Sequence, residues 1–274
     1  AVFDWLSKKI AARPAAVLST LVCLLAVPVL MAQQNWDDHD RSDKYTAQSI
    51  ANAYLDSIQD EGEPLIFSIG DNATFALWYA QEIEGKRTDV RVINTSLLAT
   101  DWYIDQMKRQ AYESDPIPSQ LTHTQYRYGT RDVIIYQELT DNTWYIDDFM
   151  RWVASDDPNT KVKLSNGEEI VFYPTKKIRI PVEKENVLKS GIVKEKDSAL
   201  IVPYIDIEIG NQIPKNRLMM LDIIANNDWK RPIYFTGGSY NKEEYIWMKD
   251  YLQLEGLTYK LVPIKTPVPA DNPY

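Results

Sequence analysis

The chain has 274 residues, 45% hydrophobic and 25% charged, enough to bury a core and too apolar for a disordered polymer. A net charge of −9, with no patch interleaving basic and aromatic residues, excludes nucleic-acid binding by counterion release. The single cysteine, Cys23, excludes an intrachain disulfide framework and a cysteine zinc site.

In chain order, residues 1–13 come first, with Lys8, Lys9 and Arg13 against Asp4, a basic flank. Residues 14–36, "PAAVLSTLVCLLAVPVLMAQQNW", contain no charged side chain. As a helix this run is about 34 Å long at ~1.5 Å per residue, enough for a hydrocarbon core of about 30 Å. Basic residues precede it and "DDHD" follows it, so the positive-inside rule puts the N-terminus in the cytoplasm and the body outside. Trp5 and Trp36 bracket the span as interfacial aromatics do. Pro28 is expected to kink or end the helix. A signal peptide cleaved near Ala32 and a buried soluble helix compete, the latter weakened by the want of a polar face. The start Ala-Val-Phe, with all six Met internal, reads as a processed product or a piece of a longer protein.

Ile50, Ala53, Tyr54, Leu55 and Ile58 make a helical stripe, with Ser42 or Asp43 as caps and Gly62 and Pro64 as its stop. "LIFSI" is a short buried strand, residues 72–84 a helix and "DVRVINTS" a second strand, a unit that fits a parallel crossover. "TDWYIDQMKRQAY" is a helix capped by Thr100. "TWYIDDFMRWVAS" reads as an amphipathic helix with Trp144, Phe149, Trp152 and Val153 on one face. "KVKLSNGEEIVFY" reads as a hairpin turning at Asn166-Gly167, followed by the extended runs "KKIRIPV" and "ALIVPYIDIEI". "KNRLMMLDIIANN" is a helix, "RPIYFTGG" a strand, "NKEEYIWMKDYLQLEG" a helix closed by Gly256, and "LTYKLVPI" a last strand. The fold class expected is α/β: a Rossmann-like, mostly parallel sheet with flanking helices and an antiparallel insertion at about 140–209. The domain spans 37–264, and 265–274 form a Pro-rich tail.

In an open parallel sheet, ligands sit beyond the carboxyl ends of the strands. Gly70, Asp71 and Asn72 follow one strand, Thr95, Ser96 and Asp101 the next, and Thr236, Gly237 and Gly238 a third. If these strands are neighbours, one crevice collects all three loops. Substrate contacts are assigned to Asp71, Asn72, Thr74, Asp101 and Trp102, with Trp78 read as core. Asp71 and Asn72 serve equally as turn and cap residues. The juxtamembrane "NWDDHD" offers Asp37, Asp38, His39 and Asp40 to a divalent cation, or else forms a solvated collar. His123 has no obvious partner. Asp71 with Asp101 would make a carboxylate hydrolase if their carboxyl groups lay about 5–9.5 Å apart.

"NWDDHDRSDKYTA", "GDNATFALWYAQEIEGKRTDVRVINTSLLATDWYIDQMKR", "ASDDPNTKV", "PTKKIRIPV", "WKRPIYF" and "DYLQLEGLTYKLVPI" together resemble, in the same order, the C-terminal part of bacterial protein O-mannosyltransferase-like membrane proteins. The resemblance implies the last span and the periplasmic domain of an inner-membrane glycosyltransferase. That class uses lipid-linked sugar donors, so it also implies a polyprenyl-phosphate sugar or a protein acceptor as partner. Catalytic acids of that class lie in an early extracytoplasmic loop that this chain does not contain, so no catalytic residue is carried over. The domain is then expected to position donor or acceptor rather than to complete the chemistry. The rival from another class is a membrane-tethered scaffold that docks proteins through an exposed apolar patch.

Overall fold

The structure, a computed structural model, describes residues 1–165, 167–237 and 246–265. The chain divides into two compact units, 1–46 and 47–274.

In the first unit, α1 (Val2–Ser7) packs on α2 (Ala12–His39). α2 is long and apolar enough to cross a membrane, and along it only Ala15 and Ser19 are buried. The helix runs through Pro28 instead of ending there. It also absorbs Asp37, Asp38 and His39, leaving Asp40 as its C-cap.

The second unit starts with α3 (Thr46–Asp56), β1 (Leu65–Ser68), α4 (Asp71–Glu82), β2 (Arg91–Asn94) and α5 (Asp101–Met107). Ser42 and Asp43 lie before α3 and do not cap it; the hydroxyl and amide of Ser42 instead hydrogen-bond Asp40 Oδ1 at 2.6 and 2.9 Å. α4 begins one residue earlier than expected: Gly70 at φ +80° is its N-cap, and Asp71 is its first helical residue. Thr100 is the N-cap residue of α5, but its hydroxyl donates back to Leu97 O at 2.7 Å and caps nothing.

The middle elements are α6 (His123–Tyr126), β3 (Val133–Tyr136), β4 (Trp144–Tyr145), α7 (Ile146–Ala154), β5 (Lys161–Lys163), β6 (Glu169–Tyr173), β7 (Lys177–Pro181), α8 (Lys184–Lys189), β8 (Tyr204–Glu208) and β9 (Gln212–Pro214). β5 and β6 form the expected hairpin, with Lys163 opposite Glu169 and Gly167 at φ +88°; Asn166 lies outside the described residues. Trp144 is in strand β4, not on the face of α7, which buries Ile146, Phe149, Met150 and Val153. The insertion is wider and less antiparallel than 140–209 suggests. β3 and β9, outside those bounds, pair with each other in its sheet, and β3–β6 and β4–β7 run parallel.

The last elements are α9 (Lys215–Asn227), β10 (Ile233–Thr236), β11 (Leu252–Glu255) and β12 (Thr258–Leu261). Residues 246–251 form a short 3-10 turn and 252–255 form β11, where the sequence reads as one helix. Gly256 therefore closes a β-hairpin rather than a helix. Residues 241–245 of that expected helix, Gly238, and the tail from 266 onward lie outside the described residues.

The principal sheet has the order β11-β12-β10-β1-β2. β10, β1 and β2 are parallel, while β12 and β11 are antiparallel additions. Four-stranded β5-β6-β3-β9 and three-stranded β4-β7-β8 sheets complete the unit. The fold is thus mixed α/β, and the mostly parallel Rossmann-like sheet is corrected to a three-strand parallel core inside mixed sheets.

All four residues of β1 are buried, as both of its faces are covered. Ile66, Val92 and Tyr234 point to one side, packing with Ala51, Leu55, Leu77 and Ala80 of α3 and α4. Leu65, Phe67, Ile93 and Phe235 point to the other, into the main core with α5, α7 and α9; Phe67 and Phe235 stack at 5.3 Å. α9 is buried nearly all round, which makes its charged Lys215 and Asp222 conspicuous.

Candidate functional site

The three loops do share one sheet end, because β10, β1 and β2 are adjacent and parallel. What collects there is a buried hydroxyl–amide cluster. Thr74 Oγ1 donates to Gly70 O at 2.8 Å, lies 2.8 Å from Ser68 Oγ, and accepts from Asn94 Nδ2 at 2.9 Å. The Ile69 amide donates to Thr236 Oγ1 at 2.9 Å, and Asn94 Oδ1 accepts from the Leu97 amide at 2.8 Å. Thr74 is therefore fully buried and holds the loops together. Asp71 and Asn72 stay exposed beside it.

Asp101 belongs to a different network. Its Oδ2 accepts the Tyr128 amide at 2.7 Å, and its Oδ1 lies 3.5 Å from Lys215 Nζ. Lys215, 2% exposed, makes its shorter pair with Asp132 at 2.6 Å. Partial burial would raise the Asp101 carboxyl, but the Tyr128 amide and Lys215 outweigh it and hold it below the usual range. Four residues on, Asp105 Oδ1 accepts from Tyr126 Oη at 2.6 Å and meets His123 Nδ1 at 3.1 Å, so His123 does have a partner. One turn later Lys108 reaches Ser119, whose hydroxyl donates to buried Asp222. Asp101 and Asp105 of α5 and Lys108 just past its end, at i, i+4 and i+7, are thus three rungs; from α9, Lys215 pairs with the first and Asp222 reaches the last through Ser119. Held ionised in a rung, Asp101 is poorly suited to act as a general acid.

Trp102 opens a third feature. It is 58% exposed and, with half-buried Trp78, walls a cavity of about 380 Å³ between α4 and α5, against β2. Gln81 and Glu82 of α4, Arg91 of β2, Gln106 of α5 and Tyr112 also line it. The Tyr112 hydroxyl donates to Glu82 at the rim. The size falls within the range of ligand cavities, and flat aromatic walls with a few amides suit a ring-shaped polar ligand. Of the five substrate residues read from sequence, only Trp102 lines this cavity; Asp71, Asn72 and Thr74 lie at the sheet end and Asp101 in the α5–α9 network.

The collar side chains are not drawn together in this structure. Asp37, Asp38 and His39 are successive helical residues, which step round the axis and fan apart. His39 Nδ1 lies 3.0 Å from Asn35 O, and Asp40 turns to Ser42. Among the described residues no three His, Cys, Asp or Glu side chains come together to hold a cation.

Sequence reasoning missed Arg91, Lys108, Lys215 and Asp222, because lysine, arginine and aspartate are normally surface residues. The one signal lay in α9, where Asp222 sits inside the apolar run from Leu218 to Ala225, two turns after Lys215.

A mixed α/β unit with an aromatic cavity, in a chain that also carries a helix able to cross a membrane, sets the class. The chain belongs to the TMEM260-associated domain 2 family, whose match covers residues 47–273. Comparison with curated proteins and with solved structures returns no match.

Proposed function

We propose that this chain is the extracytoplasmic domain, with its membrane anchor, of a glycosyltransferase-related membrane protein. In this reading the Trp78–Trp102 cavity receives a sugar ring of the donor or the acceptor. Support for the class comes from the resemblance of the sequence blocks to protein O-mannosyltransferase-like membrane proteins, and the match to the TMEM260-associated domain 2 family is in keeping with it. The observation that carries the site is the exposed Trp102 face on a cavity also lined by Gln81 and Gln106. α2 would sit in a cytoplasmic (inner) membrane with residues 47–265 on the periplasmic side, in keeping with the basic flank before it and the acidic residues after it. The test is binding of mannosylated peptides and polyprenyl-phosphate sugars to the full chain in detergent, read by tryptophan fluorescence. Saturable binding without turnover, lost in Trp102→Ala, is the expected result. Sugar transfer by the purified chain, or binding indifferent to Trp102, overturns the reading.

One observation favours the scaffold as a second reading. Phe75 and Tyr79 of α4 and Ile83, its C-cap residue, are 60%, 46% and 71% exposed at a spacing of four residues. Such a stripe on a soluble surface suits a protein partner. Capture of a membrane-protein partner by wild type but not by Phe75→Ser/Ile83→Ser would favour it.

A further inference from the structure

Three helices of the second unit end on a guanidinium. Arg87 donates to the carbonyls of Leu55, Ile58 and Gln59 at the end of α3. Arg131 donates to those of Val153, Ala154 and Ser155 at the end of α7. Arg91 Nη2 donates to those of Gln106, Met107 and Arg109 at the end of α5, at 3.3, 2.9 and 2.7 Å. Each adds donors to carbonyls at a helix end, where intrahelical amides run out.

The three then differ. Arg87 also pairs with Asp89 at 2.8 Å and Asp60 at 3.3 Å, and Arg131 pairs with Asp156 at 2.9 Å. Arg91, only 3% exposed, has no carboxylate partner among the described residues, and its Nε and Nη1 find no hydrogen-bond acceptor among them. Burial pushes its pKa down, opposed only by the Tyr103 hydroxyl. A buried guanidinium is ordinarily paired, because an uncompensated charge in a poorly solvated site is costly. The one carboxylate on the same cavity wall, Glu82, accepts from Tyr112 instead.

We infer that the cavity beside Arg91 is an anion site, and that its ligand is a ring compound bearing a carboxylate or a phosphate. The anionic group would take the place that Asp89 and Asp156 fill for the other two arginines. Trp78 and Trp102 would flank the ring, and Gln106 would offer an amide to its polar edge. This rests on the sugar-binding reading of the same cavity and narrows it to an acidic saccharide or a sugar phosphate.

The experiment titrates the full chain in detergent with glucose, glucuronate and glucose 6-phosphate, reading tryptophan fluorescence and thermal shift. The expected result is saturable binding of one or both anionic sugars, with glucose about ten- to a hundredfold weaker. Whichever anion binds more tightly identifies the charged group. Arg91→Met should abolish the preference while Trp102→Ala weakens all three sugars. The comparison of glucose with its charged analogues uses wild type alone, so it decides the matter even if Arg91→Met does not fold. Equal binding of glucose and both anions overturns this inference and leaves the sugar-binding reading intact. Absence of binding by all three to folded chain overturns the inference. If mannosylated peptides still bind in the earlier test, the sugar-binding reading survives that failure.

Discussion

Lys108 and Asp222 are joined through one hydroxyl: Lys108 Nζ lies 3.5 Å from Ser119 Oγ, which itself donates to Asp222 Oδ2. Asp222 also faces the amides of Gln120 and Leu121 and accepts from Asn226 Nδ2 at 2.9 Å. Burial raises its carboxyl despite these donors, and burial likewise lowers the Lys108 amine. Ser119→Ala removes the bridge and leaves a buried carboxylate short of a donor. It should cost about 1–3 kcal/mol, read from urea unfolding at pH 7. A loss within error would show that water substitutes for the hydroxyl.

The Asp222 shift also has a sign. A carboxyl whose folded pKa lies above its unfolded value stabilises the fold most at low pH and loses that contribution as pH rises through the folded value. The stability of wild type relative to Asp222→Asn should therefore fall as pH climbs from about 4 toward neutrality. A flat difference across that window would mean that Asp222 is not raised.

Asp101 and Asp105 run the other way. Asp105 is lowered by the Tyr126 hydroxyl and by His123, and Asp101 by the Tyr128 amide and Lys215 against its partial burial. Their contributions are present above the ordinary aspartate value of about 3.9 and fade as pH falls through the lowered folded values. Asp105→Asn should flatten the acid limb of a stability–pH curve. An acid limb as steep as wild type would place its cause elsewhere.

Lys215 permits a contrast between two substitutions. Asp132→Ala strands a buried ammonium with only Asp101, 3.5 Å away, and should cost about 2–3 kcal/mol, below the full cost for a buried pair because Asp132 is partly exposed. Lys215→Met removes the buried charge and leaves carboxylates that water can reach, so it should stay within about 1 kcal/mol of wild type. Thermal unfolding of the two variants checks the order; the reverse order would mean that the ammonium is hydrated.

Thr74→Val keeps the shape of a fully buried side chain but deletes the oxygen shared by Ser68, Asn94 and Gly70. A loss of about 1–3 kcal/mol is expected, with faster amide exchange in the loops after β1 and β2. Gly256→Ala acts through backbone and space: φ is +55°, and a Cβ would fall 2.1 Å from Ser57 Oγ. It should destabilise by more than about 1 kcal/mol, with the β11–β12 hairpin loosened in hydrogen exchange.

The β1–α4–β2 unit was legible because its signals are local: two short apolar runs, a Gly-Asp-Asn turn and a helix between them. The same holds for the hairpin at Gly167. The stretch "IWMKDYLQLEG" was misread because its apolar spacing fits both periods, and what makes 252–255 a strand is pairing with β12 across Gly256. The candidate site was less legible. Trp102 was found by its chemistry, but Arg91 reads as one charged residue in a strand, and nothing local announces its burial under the end of α5. His123 shows no neighbour in sequence, since Asp105 comes from a helix behind it.

The register that sets Leu65 opposite Ile233 has a consequence in time. During synthesis at about 5–20 residues per second, β1 and β2 are complete roughly seven to thirty seconds before β10 emerges. Through that interval the apolar β1 has one hydrogen-bonding edge filled and the other bare, an open template for any passing strand. Nascent chains stopped short of Ile233 should then be sticky and chaperone-bound rather than partly native. Solubility should return only once β10 has paired with β1 and the later β12 has covered the outer edge of β10.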